Sequence, residues 1–245
     1  MKLSEFTTLT FDCYGTLIDW ESGIYTALLP LIAKAEIGKS GNDIGRDQAL
    51  EAYAGHESAQ EHETPDMIYS ALLAHVHARL AREWGVAADP TADAAFGAAV
   101  PDWPAFPDSA AALAYLKQHY KLVILSNVDR VSFAGSNKRL GVEFDAIYTA
   151  QDIGSYKPDP RNFHYMLAKL AERGIRKDEI LHTAQSLFHD HGPAKLVGMT
   201  SCWIDRRHTA QGWGATMPPP AEAVWEWRFT SLQAMADAHR AEIGN

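Results

Sequence analysis

Polar residues follow four apolar segments of the sequence, and their types suit one shared catalytic site. Asp12 follows the first segment, and Ser126 and Asn127 follow the second. Lys157 lies after the third segment, and the run from Ser186 to Asp190 lies after the fourth. A carboxylate can form an ester intermediate, a lysine can hold that carboxylate ionised, and hydroxyl and amide groups can donate hydrogen bonds. The set therefore predicts nucleophilic catalysis with Asp12 as the nucleophile.

The segments that precede these residues have the composition of buried strands. They are short, apolar and rich in β-branched residues, and helical patterns such as Asn162 to Arg173 lie between them. The five predicted strands are 6–11, 121–126, 145–150, 179–184 and 200–205. Strands that alternate with helices predict a parallel sheet covered on both faces. Ligands bind outside the carboxyl ends of such strands, so we expect the polar residues to meet there.

A long helical stretch interrupts this alternation after the first strand. We predict that residues 18–103 form an inserted helical cap, and that 1–17 and 104–245 form the α/β core. No convincing strand occurs in the cap, whose helical periodicities cover Gly23 to Lys34, Arg46 to Ala59 and Asp66 to Trp84.

The composition excludes several classes of protein. The chain has 245 residues, 47% of them hydrophobic, and a formal net charge of -9. It can bury a full core, whereas the acidic balance and the lack of a basic run disfavour nucleic-acid binding. The N-terminal residues lack the apolar run of a signal peptide, and no stretch of about 18 apolar residues occurs. We expect a cytoplasmic protein that binds neither nucleic acid nor membranes.

Four segments together resemble the motifs of the haloacid dehalogenase superfamily, in order and spacing along nearly the whole chain. They are FDCYGTLIDW, VILSNVDR, GSYKPDPRNF and HTAQSLFHDHGPAK. The resemblance implies a Rossmann-like core with a helical cap inserted after the first motif. It also implies that Asp12 is the nucleophile, that Lys157 is its electrostatic partner and that Asp190 orients the hydrolytic water. Thr16, Ser126 and Asn127 would position the ester or the substrate carboxylate.

Two positions depart from the pattern of the phosphatases in this superfamily. Phosphatases carry a second aspartate two residues after the nucleophile, where this chain has Tyr14. They usually have an acidic residue directly before the serine of the fourth motif, where Gln185 precedes Ser186. Mg²⁺ prefers several charged oxygen ligands. We therefore expect no metal and no other cofactor, and a phosphatase or a binding protein without catalytic activity is the alternative.

The Asp-x-Tyr-Gly-Thr form of the first motif resembles the type II 2-haloacid dehalogenases. These enzymes attack the carbon next to a carboxylate, expel halide and hydrolyse the resulting ester with water. The resemblance implies a metal-independent hydrolase acting on a small carboxylate. Three departures from the dehalogenase pattern leave open whether halide is the leaving group. The only nearby candidate for the cap arginine is Arg46. Leu187 stands near the position of an expected asparagine, and Phe163 replaces a tyrosine.

A closer resemblance is to a subgroup that includes the L-azetidine-2-carboxylate hydrolases, which open a strained ring at the same carbon. It rests on DCYGTLIDWE, HESAQEHETP and WPAFPD. An acidic or aromatic site would suit the ring nitrogen, although Gln185 replaces a glutamate of that subgroup. Our candidates for lining the site are Tyr14, Trp20, Tyr53, His56, Glu57, Gln60, Gln185 and Ser186.

Three histidines near the fourth motif invite a second interpretation. His182, His189 and His191 lie close to Asp190, as ligands of zinc can. The strand pattern places His182 inside the sheet, and the fourth motif accounts for Asp190 without a metal. We therefore expect a substrate and water as the only small-molecule partners. An exposed aromatic face on the cap would favour a homodimer.

Overall fold

A six-stranded parallel sheet forms the core of the computed structural model, which describes residues 1–36, 44–219 and 223–244. The strands are β1 (Thr8–Phe11), β2 (Lys121–Ser126), β3 (Ala146–Thr149), β4 (Ile180–Ala184), β5 (Thr200–Ile204) and β6 (Trp227–Phe229). Their spatial order is β3-β2-β1-β4-β5-β6, and every neighbouring pair is parallel. The predicted α/β fold is confirmed, and β1 lies inside the sheet between β2 and β4.

All five predicted strands are present, and β6 is an addition. Every residue of β1 is buried, because helices cover both faces of the sheet. The sixth strand escaped prediction because it has only three residues, from Trp227 to Phe229, and none of them is fully buried. The first strand begins at Thr8 instead of residue 6, after a short 3₁₀ turn at Leu3–Glu5.

In the described residues from Trp20 to Gly97 the chain forms α-helices and no strand. They are α1 (Trp20–Glu36), α2 (Arg46–Glu63), α3 (Tyr69–Glu83) and α4 (Pro90–Gly97). The helix α4 was not predicted. It packs closely on α3, since a Cβ atom at Gly97 would lie 2.1 Å from Ser70 O. All four helices lie within the predicted cap, whose residues 37–43 fall outside the described part of the chain.

The remaining helices cover the sheet. They are α5 (Ser109–Leu116), α6 (Arg130–Leu140), α7 (Ala150–Ile153), α8 (Arg161–Ala171), α9 (Gly192–Leu196) and α10 (Leu232–Ile243). One hydrophobic cluster joins Leu28, Leu50 and Leu72 of the cap to Leu9 and Phe11 of β1. Because this cluster is continuous, the cap helices pack directly against the core. None of the helices in the described ranges is long and apolar enough to cross a bilayer.

Candidate active site

Asp12 follows β1 directly, and two donors hold its carboxylate. Lys157 Nζ donates to Oδ1 at 2.9 Å, and Thr16 Oγ1 donates to Oδ2 at 2.7 Å. The backbone N–H of Asp12 donates to Thr183 O of β4 at 3.1 Å. Burial raises the pKa of Asp12, the charge of Lys157 opposes this rise, and nearby Asp190 adds to it. The contact with Lys157 therefore favours the ionised form that a nucleophile needs.

Lys157 is a buried ammonium group shared by two carboxylates. Besides Asp12, its Nζ donates to Asp190 Oδ1 at 2.7 Å and to Leu125 O at 3.1 Å. Burial lowers the pKa of Lys157, but the charges of Asp12 and Asp190 outweigh burial and raise it to about 12. Lys157 is therefore charged at neutral pH.

Asp190 presents one oxygen that is already bound and one that is not. It lies in a π-helical turn, Leu187–His191, that follows β4. Its Oδ1 accepts from Lys157 and lies 3.0 Å from His182 Nε2, whereas its buried Oδ2 has no hydrogen-bond partner among the described residues. Burial raises the pKa of Asp190, but the Lys157 charge and the His182 hydrogen bond outweigh burial and lower it. Asp190 is thus an ionised acceptor with a second oxygen available to a ligand or water.

Ser126 and Asn127, at the end of β2, contribute in different ways. The Ser126 hydroxyl is buried and has no partner within the described ranges, although the residue lines the cavity above Asp12. The Asn127 side chain accepts from Lys157 N at 2.7 Å and donates to Lys157 O at 2.9 Å. It also donates to Glu61 Oε1 of the cap at 3.1 Å. Ser126 can therefore bind a substrate, while Asn127 fixes the lysine backbone and ties the cap to the core.

The helix α2 presents two buried glutamates to this site, one helical turn apart. Glu57 Oε1 accepts from Tyr53 OH at 2.7 Å and from Tyr69 OH at 2.6 Å. Burial raises the pKa of Glu57 to about 7, although the two tyrosine hydrogen bonds oppose this rise. The pKa of Glu61 is also well above its usual value, because it is buried and Glu57 lies near it. A cation placed beside these groups would favour their ionised forms.

These elements line a narrow cavity of about 30 Å³ that opens to solvent. Its lining combines core and cap: Asp12, Tyr14, Trp20, Glu57, Glu61, Tyr69, Ser126, Asn127, Val128, Lys157, Ser186, His189 and Asp190. The lining holds four carboxyl groups and one ammonium group, so it is strongly acidic.

Two aromatic residues near the nucleophile border the cavity, as the sequence predicted. Tyr14 contributes its ring, and its hydroxyl shares a 2.8 Å hydrogen bond with Ser136 of α6. Trp20 begins α1 and also lines the cavity. Between them, Gly15 has a φ of 92°, and a Cβ atom there would lie 3.0 Å from Trp20 Nε1. Glycine therefore permits both the turn after Asp12 and the approach of the indole ring.

Of the three predicted residues Thr16, Gln185 and Ser186, only Ser186 lines the cavity. Thr16 is beneath Asp12, and its Oγ1 accepts from Gln185 N at 2.9 Å. The Gln185 side chain borders a neighbouring pocket that also contains Trp203, so it does not line the cavity above Asp12. Ser186 lines the cavity, but its Oγ accepts from His189 N at 3.0 Å and so caps the following turn.

Three of the predicted cap residues do not reach the cavity. His56 Nε2 lies 2.6 Å from Glu83 Oε2, and Gln60 Nε2 donates to Thr64 Oγ1 at 2.9 Å. Tyr53 lies behind the lining residues Glu57 and Tyr69, to which its hydroxyl is hydrogen-bonded. Successive residues of a helix are rotated by about 100°. Because positions 57 and 61 face the core, positions 56 and 60 are turned toward a separate surface pocket.

The three departures from the dehalogenase motifs also lie outside the cavity. Arg46 is exposed, donates to Ser22 Oγ at 3.2 Å and stacks over the Tyr25 ring. Leu187 borders the neighbouring pocket, and Phe163 is buried in the core. None of these side chains lies beside Asp12, so Lys157 is the only Lys or Arg that lines the cavity in the described part of the chain.

Sequence reasoning missed Glu61, Tyr69 and His189 as lining residues. The i, i+4 spacing of the two glutamates on α2 could have signalled a shared face. His189 Nε2 lies 4.0 Å from Glu61 Oε2, and burial lowers the pKa of His189 to about 4. His189 is therefore neutral at neutral pH.

The histidines of the fourth motif bind different partners. His191 contacts Ser201 Oγ at 2.9 Å and Ala184 O at 3.0 Å, and His189 Nδ1 contacts Ser186 Oγ at 3.1 Å. His182 is inside β4, as predicted. Across the ranges that the structure describes, no group of three or more His, Cys, Asp or Glu side chains is arranged to hold a metal ion.

Comparison with known proteins gives a family match and many structural matches. A family model described as haloacid dehalogenase-like hydrolase matches residues 6–183, which is most of the chain. No curated protein matches the sequence.

The structural matches span almost the whole fold. A defluorinating L-2-haloacid dehalogenase is 20% identical, with a TM-score of 0.75 over 98% of each chain. The L-2-haloacid dehalogenase from Xanthobacter autotrophicus with chloropropionic acid covalently bound is 19% identical, with a TM-score of 0.73 over 96% of this chain and 98% of that one. The HAD-hydrolase YfnB from Bacillus subtilis bound to magnesium is 17% identical, with a TM-score of 0.72 over 96% of this chain and 99% of that one. At these identities the matches establish a shared fold.

Proposed function

The chain belongs to the haloacid dehalogenase-like hydrolase family, and we propose that it displaces the substituent at C2 of a short 2-substituted carboxylate through an ester on Asp12. The observation that carries this proposal is the buried contact between Asp12 and Lys157 beneath a cavity lined by both core and cap. The reaction uses the substrate, the side chains of the site and water.

In the first step, the Asp12 carboxylate attacks C2 of the substrate. A new bond forms between oxygen and carbon, and the bond from C2 to the substituent breaks, with its electron pair leaving on the substituent. Lys157 keeps Asp12 ionised until it reacts, and Thr16 fixes the second oxygen of the carboxylate. The cap excludes bulk water, which would otherwise weaken the nucleophile by solvating it.

In the second step, water attacks Cγ of the Asp12 ester. The acyl C–O bond breaks, the 2-hydroxy acid leaves with an oxygen from Asp12, and the carboxylate is restored with an oxygen from water. Asp190 has a buried oxygen without a partner in the described structure, and this acceptor suits a hydrolytic water. Lys157, which contacts both aspartates, favours the carboxylate that is released.

The Ser126 hydroxyl supports recognition of the substrate carboxylate. It is buried at the end of β2, lines the cavity and has no partner in the part of the chain that the structure describes. A buried polar group without a partner is unfavourable until a ligand or water satisfies it. A substrate carboxylate that accepts from Ser126 would occupy the same cavity as Lys157 and Asp12.

The acidic cap favours a ring amine over halide as the leaving group. Halide leaves as an anion, which Glu57 and Glu61 would repel when ionised. A ring nitrogen remains on the product as an amine, and its positive charge near neutral pH would be attracted to the same carboxyl groups. The two glutamates thus supply the charge that Gln185 lacks. We therefore favour opening of L-azetidine-2-carboxylate or a related strained ring, and dehalogenation of a 2-haloacid is the second candidate, suggested by the shared fold.

A metal-dependent phosphatase is less well supported by these residues. The Tyr14 hydroxyl is engaged with Ser136, and Gln185 carries no charge and does not line the cavity, so neither replaces the missing carboxylates. Asp190 Oδ1 already binds Lys157 and His182. The donors around Asp12 therefore fit a magnesium ion poorly.

The test is to incubate the protein with L-azetidine-2-carboxylate and, separately, with 2-chloropropionate. A new primary amine in the first reaction indicates ring opening, and free halide in the second indicates dehalogenation. Asp12→Asn should abolish both activities, whereas Asp178→Asn, a change on the exposed surface, should leave them unaltered. Full activity of Asp12→Asn on carbon substrates would contradict the proposal, and magnesium-dependent phosphate release as the sole activity would favour the phosphatase.

A further inference from the structure

A buried chain of hydrogen bonds runs from β1 to the fourth motif. Thr10 Oγ1 lies 2.9 Å from His182 Nδ1, and His182 Nε2 lies 3.0 Å from Asp190 Oδ1. The register of the sheet pairs Thr10 of β1 with His182 of β4. All three residues have an exposed fraction of 0%. The chain therefore connects the interior of the sheet to a carboxylate of the cavity.

With Asp190 ionised and the His182 ring neutral, the direction of both hydrogen bonds is defined. The ionised Asp190 carboxylate can only accept, so His182 Nε2 donates to it. In a neutral imidazole Nδ1 then accepts, and the Thr10 hydroxyl donates to it. Thr10 therefore selects the tautomer of His182 that can bind Asp190, as outer partners of functional histidines commonly do.

The hydrogen bond from His182 makes the two carboxylate oxygens of Asp190 differ in their partners. Oδ1 is occupied by the Lys157 ammonium and by the His182 ring, at 2.7 and 3.0 Å. Oδ2 is buried and unpartnered in the described structure. Two donors on one oxygen restrict rotation of the carboxylate, so Oδ2 is held in one orientation in a residue that lines the cavity.

We propose that His182, held by Thr10, is a positioning residue that aims Asp190 Oδ2 at the water that hydrolyses the ester on Asp12. This inference rests on the proposed function, because it concerns the second half of that reaction. His182 acts through Asp190 and does not line the cavity. It should therefore affect ester hydrolysis and leave ester formation nearly unchanged.

The experiment compares two substitutions of His182. One keeps the hydrogen bond to Asp190, and the other keeps only the hydrogen bond to Thr10. The amide of His182→Gln can reach the Nε2 position and donate to Asp190. The shorter side chain of His182→Asn can reach Thr10 but not Asp190. His191→Gln is the matched control, because His191 is equally buried and contacts Ser201 and Ala184 instead. Folding of each variant is checked by thermal unfolding.

The readout is the fraction of protein carrying an ester during turnover, measured by rapid quenching and intact mass with whichever of the two substrates is consumed. We expect the ester to accumulate in His182→Asn because hydrolysis slows by about 10-fold to 100-fold, while ester formation stays within about threefold. His182→Gln should recover most of the hydrolysis rate, and His191→Gln should resemble the wild type.

A second pair of substitutions, at Thr10, tests the same inference if a His182 variant does not fold. Thr10→Val removes the hydroxyl at similar volume and should also cause the ester to accumulate, whereas Thr10→Ser retains the hydroxyl and should not. Equal slowing of both steps in His182→Asn, or the same behaviour in His191→Gln, would overturn the inference alone. Absence of an ester and of turnover in the wild type would overturn the proposed function and this inference with it.

Discussion

Lys157 Nζ lies 2.9 Å from Asp12 Oδ1 in a buried ion pair, with side-chain exposures of 2% and 8%. The same ammonium contacts Asp190 at 2.7 Å. Removing one partner from such a cluster leaves charge buried without compensation, whereas removing two opposite charges does not. The cluster therefore links stability to activity.

Lys157→Met should abolish turnover and lower the free energy of unfolding by about 3–5 kcal/mol, because two carboxylates lose their counter-charge. The double variant Lys157→Met/Asp190→Asn should recover part of the stability but none of the activity. Denaturant unfolding and steady-state kinetics measure both effects. A stable single variant with normal turnover would contradict the assigned role of Lys157.

The pH dependence of ester formation should reflect the raised pKa of Asp12, which burial causes. Protonated Asp12 is not a nucleophile, so kcat/KM should fall as the pH is lowered through this pKa. We expect the acidic limb at a pH above about 3.9, the usual value for aspartate. An acidic limb at or below that value would indicate an exposed carboxylate and would conflict with the structure.

Glu57→Gln should reduce turnover of L-azetidine-2-carboxylate by about 10-fold or more, because the buried cavity loses a charge that attracts the ring nitrogen. The pKa of Glu57 is about 7, so wild-type activity on this substrate should rise as the pH increases through 7. That rise should disappear in Glu57→Gln. Glu63→Gln is the control, because Glu63 lies on the same helix, is exposed and pairs with Arg79. Equal losses in both variants would exclude a specific role for Glu57.

Ser126→Ala should raise KM for the carboxylate substrate by about 10-fold, through loss of about 1–1.5 kcal/mol of hydrogen bonding. Its hydroxyl has no partner in the described residues, so the melting temperature should stay the same or rise. Titration of substrate together with a thermal scan separates the two effects. A large loss of stability with unchanged KM would show that Ser126 is structural.

The sequence predicted the core side of the site because parallel strands bring their carboxyl ends to one edge. Asp12, Ser126 and Asp190 each follow a strand or lie in the turn after it, and the structure places all three at one cavity. The family resemblance is confirmed by the family match.

The cap side could not be predicted in the same way. Which face of α2 meets Asp12 depends on how the cap packs. The sequence therefore suggested His56 and Gln60 together with Glu57, whereas Glu57 and Glu61 line the cavity. The link from Thr10 to His182 depends on strand register, which a single sequence does not specify.

The most direct test of the central claim, that Asp12 forms an ester, is a single turnover in water labelled with a heavy oxygen isotope. Enzyme in excess is mixed with the accepted substrate, and both the product and the peptide containing Asp12 are analysed by mass spectrometry. We predict that the label enters Asp12 and that the product carries unlabelled oxygen. Label in the product and none in the peptide would mean that water attacks the substrate directly, and would contradict the account.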